Sequence, residues 1–118
     1  MKKLFCLFLF TAPFLLQAQT PTEQTGTASY YAKKFEGRRT SSGEKFSNKK
    51  LTAAHKTLPY GTKLKVTNLS NNKSVIVIVN DRLPKKSTRC IDLSQKAAKE
   101  LDFIRAGKTK VKIEIIKE

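Results

Sequence analysis

The chain has 118 residues, room for a single domain. Its 39% hydrophobic and 28% charged residues suit a soluble globular protein and exclude a collagen-like or disulfide-dense one. Lys and Arg number 24 against 9 Asp and Glu, a formal charge of +15, so anionic partners are favoured.

Lys2 and Lys3 precede an uncharged stretch from Leu4 to Leu16, in which Leu4 to Phe10 are all apolar, and Ala18 offers a small residue for cleavage. This pattern reads as a secretory signal peptide over 1–18, cut near Ala18 or Gln19. The apolar run falls short of the ~20 residues that a membrane span requires. Cys6 lies too early, and without the small residues before it, to be a lipidated cysteine. A soluble protein exported across the inner membrane, periplasmic and without stable membrane insertion, is expected. Losing Cys6 leaves Cys90 without an intrachain partner, so no disulfide framework is expected.

Residues 19–25 are polar and Thr-rich and read as a short linker, with the folded domain over 26–118. Thr27 to Tyr31 reads as a first strand. Ala32 to Lys50 is polar and too long for a plain turn, the mark of a functional loop. Lys63 to Leu69 places Leu64, Val66 and Asn68 on one face, and Ser70 to Lys73 then reads as a hairpin turn. Val75 to Val79 is a continuous β-branched run, expected to be buried on both faces. Ser94 is a good helix N-cap, with Ala97, Ala98, Leu101 and Ile104 following at helical spacing and Gly107 closing the segment. Lys108 to Ile115 alternates cleanly, as a half-buried strand does. Short strands, one short helix and long loops imply a compact, mainly β barrel.

Several chemistries are poorly served. One histidine and one remaining cysteine make no zinc-type cluster. A Gly-x-Ser-x-Gly elbow and a phosphate-cradling Gly-rich loop are both missing. Cys90 sits in a mixed Cys-Ile-Asp-Leu stretch, better suited to a core position than to a nucleophile. Asp92, just before the Ser94 cap, reads as a local hydrogen-bonding residue. The basic pairs Lys33-Lys34, Arg38-Arg39, Lys49-Lys50 and Lys85-Lys86 suit a polyanionic cell envelope, or are simply solvated. Nucleic acid is not expected as a partner, because export removes the protein from it.

A series of segments carries a resemblance: Ala28-Ser29-Tyr30-Tyr31, Phe35-Glu36-Gly37-Arg38-Arg39-Thr40, Ser42-Gly43-Glu44-Lys45-Phe46, Leu51-Thr52-Ala53-Ala54-His55-Lys56-Thr57-Leu58-Pro59, Asn80-Asp81-Arg82 and Ile91-Asp92-Leu93-Ser94. In this order they resemble the rare lipoprotein A family of lytic transglycosylases. The resemblance implies a six-stranded double-psi β-barrel with one or two short helices, working as a monomer without a cofactor or metal. It implies peptidoglycan glycan strands as substrate, preferably strands stripped of stem peptides. Carried over by position, it implies Asp81, Glu44 and His55 as catalytic residues. Tyr30, Tyr31 and Arg82 are expected to bind the sugar chain, with core packing as the plainer reading of the two tyrosines. Two departures stand out. The family usually has Gly after Asp-Arg where this chain has Leu83, and many relatives have Asp where this chain has Ser47.

Such an enzyme can work with one carboxyl group, because the muramic acid C6 hydroxyl is the nucleophile and the product is a 1,6-anhydro end. Asp81 follows the Val75–Val79 run, so a strand end would hold it at a loop mouth; a turn former is its plainer reading. A raised pKa, from burial or from Glu44 nearby, is the expectation for that role. Glu44 could instead be solvated or orient the sugar, and His55 could hydrogen-bond the acid or a sugar hydroxyl, or be structural. A non-catalytic glycan-binding or expansin-like wall-loosening module is the alternative function.

Overall fold

The computed structural model describes residues 22–117; the expected signal peptide lies outside them. Six strands, β1 (Glu23–Tyr30), β2 (Thr52–His55), β3 (Lys63–Asn68), β4 (Ser74–Arg82), β5 (Ile91–Leu93) and β6 (Thr109–Ile115), form one closed barrel. Around it they run in the order β1-β5-β2-β4-β3-β6, and β6 closes onto β1. The β1/β5 and β2/β4 pairs are parallel and the others antiparallel. Among the described residues a 3-10 turn (Lys33–Phe35) and one α-helix, α1 (Gln95–Glu100), accompany the barrel. This is the six-stranded double-psi β-barrel expected from the sequence. Closure leaves no free sheet edge.

Small and β-branched side chains fill the interior. Ala28, Ala53, Leu64, Val66, Val77, Val79, Ile91, Leu93, Val111 and Ile113 are buried, and α1 adds Ala97, Ala98 and Leu101 to the same core. Gly26 lets β1 pass Cys90 closely: a Cβ there would lie 2.8 Å from the Cys90 sulfur.

Three local expectations change. Glu23 to Thr25, read as linker, pair with Glu114, Ile113 and Lys112 and belong to β1; their polarity reflects exposed positions. In β4 only Val75, Val77 and Val79 point inward, while Ile76 and Ile78 stay 43% and 41% exposed opposite Lys65 and Lys63. A β-branched run here records strand preference on both faces, not burial on both. Helix α1 is capped by Ser94, whose Oγ accepts the Ala97 N–H, but it stops at Glu100, well before Gly107. Asp102 takes a left-handed φ of 59°. Its N–H donates to Lys99 O, and that of Phe103 to Ala98 O, which completes a Schellman stop without glycine.

Candidate active site

The site begins with a β-bulge. Along the β2/β4 pairing, Ala53 faces Val79 and Ala54 faces Asp81, so Asn80 is an extra residue in β4. A bulge of this kind redirects the side chains after it. Strict alternation would aim Asp81 inward after Val75, Val77 and Val79; instead it sits half-buried at the barrel rim. Asn80 is itself buried and donates from Nδ2 to Glu44 Oε1 at 3.1 Å.

Four donors converge on the Asp81 carboxylate. Tyr31 Oη donates to Oδ2 at 2.5 Å. The Ser41 N–H, the Ser41 hydroxyl and the Arg82 N–H each donate to Oδ1 at 2.9 Å. Burial pushes the Asp81 pKa up, but the hydrogen bonds from Tyr31, Ser41 and Arg82 outweigh it and hold the group below its ordinary value. The expected upward shift is therefore reversed, and Asp81 rests ionised.

Tyr31 follows β1 and is fixed on three sides. Its N–H donates to Leu93 O at 2.9 Å. Its ring stacks on Phe46 at 4.1 Å between centroids and meets the edge of Phe35 at 5.8 Å. Burial, then the hydrogen bond to Asp81 and its negative charge, push the phenol pKa far above the usual tyrosine value. Tyr31 is thus a permanent donor. One face of its ring packs on Phe46, and its hydroxyl is engaged by Asp81.

Two further residues join the site that carried no signal in the sequence. Ser41 sits at the tip of a tight turn closed by an Arg39–Lys45 bridge and by the Thr40 N–H to Glu44 O bond at 2.8 Å. Tyr60 donates to the Ser41 hydroxyl at 2.8 Å, and its ring carries the Arg82 guanidinium 4.3 Å from its centroid. Tyr60 remains 44% exposed, more open than the partly buried Tyr30 and Tyr31. Arg82 also donates to His55 O at 3.3 Å.

The other two expected site residues go elsewhere. Tyr30 Oη donates to Ile104 O at 2.7 Å and its ring meets Phe103 edge-on, so it pins the segment after α1 to the barrel. His55 is buried, and both its ring nitrogens are engaged. Nδ1 accepts the N–H groups of Thr57 and Leu58 at 3.1 and 3.2 Å, which leaves Nε2–H to donate to Gln24 Oε1 at 2.9 Å. Burial, then the charges of Arg82 and Lys56, lower its pKa. The ring faces a cavity of about 450 Å³ lined with Gln24, Leu58, Ile113 and Ile115, and makes no hydrogen bond to Asp81. Asp92 is structural, as expected: it accepts from Ser29 and takes a two-pronged bond from Arg89 at 2.7 and 3.0 Å. Leu83, the departure after Asp-Arg, is buried, and its N–H donates to His55 O.

This arrangement offers an ionised carboxylate fixed by neutral donors, a second carboxylate on the adjoining turn, and an exposed aromatic–guanidinium pair. Such a set suits proton transfer on a carbohydrate held against Tyr60.

Comparison with known proteins agrees. A family model described as lytic transglycolase matches residues 23–113. Endolytic peptidoglycan transglycosylases RlpA are similar: that of Rickettsia felis is 54% identical over 96 residues, 79% of this chain and 42% of the relative. Those of Campylobacter jejuni and Neisseria meningitidis are each 53% identical, over 77% and 79% of this chain and 33% and 39% of theirs. The chain thus spans about a third to two fifths of the length of these relatives. Among solved structures, Streptomyces papain inhibitor superposes with a TM-score of 0.65 at 22% identity, covering 80% of this chain and 94% of that one. An expansin of Clavibacter michiganensis gives 0.65 at 20% identity, over 81% and 51%. At that identity the likeness is one of fold.

Proposed function

The chain belongs to the lytic transglycolase family, and from that premise we propose that it cleaves the bond between muramic acid and glucosamine in peptidoglycan glycan strands, leaving 1,6-anhydro-muramic ends. Its place of action is then the cell wall of the exporting bacterium. The observation that carries this reading is the convergence of Tyr31, Ser41 and the Arg82 N–H on Asp81.

Because Asp81 rests ionised, its first task is that of a base. It takes the proton of the muramic acid C6 hydroxyl as O6 bonds to C1. The C1–O4 bond breaks and the departing O4 takes a proton, so no water is consumed. While it develops positive charge, the sugar carbon also faces the Asp81 carboxylate, which stabilises it. The proton for O4 is the one that Asp81 has taken from O6, so the carboxylate starts and ends the step ionised and no second acid is needed. Glu44, exposed on the adjoining turn and held at Oε1 by Asn80, is placed to orient the sugar. Tyr31 and Ser41 position Asp81, and Tyr60 with Arg82 forms the sugar platform.

Incubating the exported protein with amidase-stripped sacculi tests the reading. Soluble fragments ending in 1,6-anhydro-muramic acid support it, whereas ordinary reducing ends mean hydrolysis. The likeness to an expansin, a mutant of which is described in complex with cellohexaose, favours one second reading: a glycan-binding module that is retained on sacculi and releases nothing.

A further inference from the structure

A second cavity, of about 610 Å³, lies beside the site between the 3-10 turn, the turn at 47–50 and α1. Lys33, Lys49, Lys96 and Lys99 line it against one acid, Glu36. None of these lysines has an ion-pair partner among the described residues. Glu36 spends Oε1 on the Asn48 N–H at 2.8 Å. Like charges gathered in a concave site raise the local potential and attract an anion.

The walls of this cavity are built into the catalytic site. Asn48 accepts the Gln95 N–H at Oδ1 (2.8 Å) and the Lys96 N–H at its main-chain oxygen (3.0 Å), which bolts the turn to α1. Gln95 Nε2 donates to Tyr31 O at 2.9 Å, while the phenol of the same Tyr31 holds Asp81. Tyr31 therefore spans from the lysine cavity to the carboxylate. The Asn48 Nδ2 and Gln95 Oε1 atoms have no partner among the described residues, leaving one donor and one acceptor for hydroxyl or amide groups of a ligand.

We propose that this cavity is a carboxylate-binding subsite, taking the lactyl group of a muramic acid residue on the strand seated at Asp81. The inference rests on the glycan-cleavage reading above. In a strand that carries stem peptides, the lactyl carbonyl is part of a neutral amide. Removing the peptide exposes one carboxylate per disaccharide directly on the sugar, so lysines placed there favour stripped strands by charge.

The test uses fluorescently labelled stripped strands with their lactyl carboxylates either free or converted to methylamides. Wild type, the Lys49→Gln/Lys96→Gln variant and a charge-matched Lys108→Gln/Lys110→Gln control are titrated, with 1,6-anhydro ends counted in parallel. Wild type and control are expected to bind free-carboxylate strands about three- to tenfold more tightly than amidated ones, with the preference fading at high salt. The Lys49/Lys96 variant is expected to bind both strands alike, at the wild-type affinity for the amidated strand. A wild type that does not distinguish the strands overturns the inference. So does a control that loses the preference to the same extent, which would make it a property of net charge. The anhydro ends report separately: a carboxylate preference without them refutes cleavage and leaves the subsite, and ends without a preference do the reverse.

Discussion

The Tyr31 phenol and the Asp81 carboxylate meet at 2.5 Å across fifty residues of sequence, with the tyrosine ring clamped between Phe46 and Phe35. Burial in the clamp and the facing Asp81 carboxylate raise the phenol pKa far above the usual tyrosine value, so the group stays a donor at neutral pH. The pair therefore fixes both the direction and the charge state of the carboxylate.

Tyr31→Phe keeps the ring stack and deletes one of the donors to Asp81. The Asp81 pKa then rises towards its ordinary value. A base must be deprotonated to act, so the acid limb of the pH–activity profile is expected to move to higher pH. At the optimum kcat falls about tenfold, the equivalent of ~1.4 kcal/mol for one charge-assisted bond, with little change in KM. An unmoved acid limb would detach Tyr31 from the charge state of Asp81.

Tyr60 tests the sugar platform. Tyr60→Phe keeps the face under Arg82 and loses only the bond to Ser41, so KM should change by less than about twofold. Tyr60→Ala removes the face and should raise KM by about five- to thirtyfold, the range for ~1–2 kcal/mol of aromatic contact. Steady-state kinetics on stripped strands checks both, and equal effects from the two substitutions would mean the hydroxyl, not the ring, is what matters.

His55 is expected to act on stability rather than turnover. Its folded-state pKa lies below the unfolded value of about 6.5, so the unfolded chain binds the extra proton. This contribution is fully present above about pH 6.5 and is lost as pH falls from there towards the lowered folded-state pKa. His55→Ala leaves the Thr57 and Leu58 N–H groups and Gln24 without their partner, costing about 2–4 kcal/mol. Melting temperature against pH should show a slope near pH 6 in wild type that vanishes in the variant. A variant with unchanged stability but no activity would return His55 to the chemistry.

Gly26→Ala drives a Cβ to 2.8 Å from the Cys90 sulfur, and should destabilise the barrel by about 1–3 kcal/mol. Part of that loss should return in Gly26→Ala/Cys90→Ala, where only the Cys90 Cβ contact at 3.0 Å remains. Chemical denaturation of the single and double variants measures it.

Much of the barrel was legible because its signals are local. Leu64, Val66 and Asn68 share a face, Ser94 caps α1, and the 109–115 alternation faces inward at Val111 and Ile113. The ends were harder to read, since the left-handed Asp102 closes α1 ahead of Gly107, the glycine that offered itself as the stop. At the site, the Asn80-Asp81-Arg82 motif located the carboxylate but not its charge state. That state depends on Tyr31 and Ser41, brought to Asp81 by barrel closure and by the Asn80 bulge. Tyr60 stayed hidden because nothing in Pro59-Tyr60-Gly61 distinguishes an exposed ring next to the carboxylate from an ordinary turn, and the surroundings of His55 were not legible because its partners, two main-chain N–H groups and Gln24, belong to no motif.

The most direct test of the account compares wild type and Asp81→Asn on amidase-stripped sacculi, with mass spectrometry of the released fragments. The account expects 1,6-anhydro-muramic ends from wild type and at least a hundredfold fewer, on the order of what loss of a general base removes, from a variant with an unchanged melting curve. Anhydro ends at the wild-type rate from Asp81→Asn would contradict it.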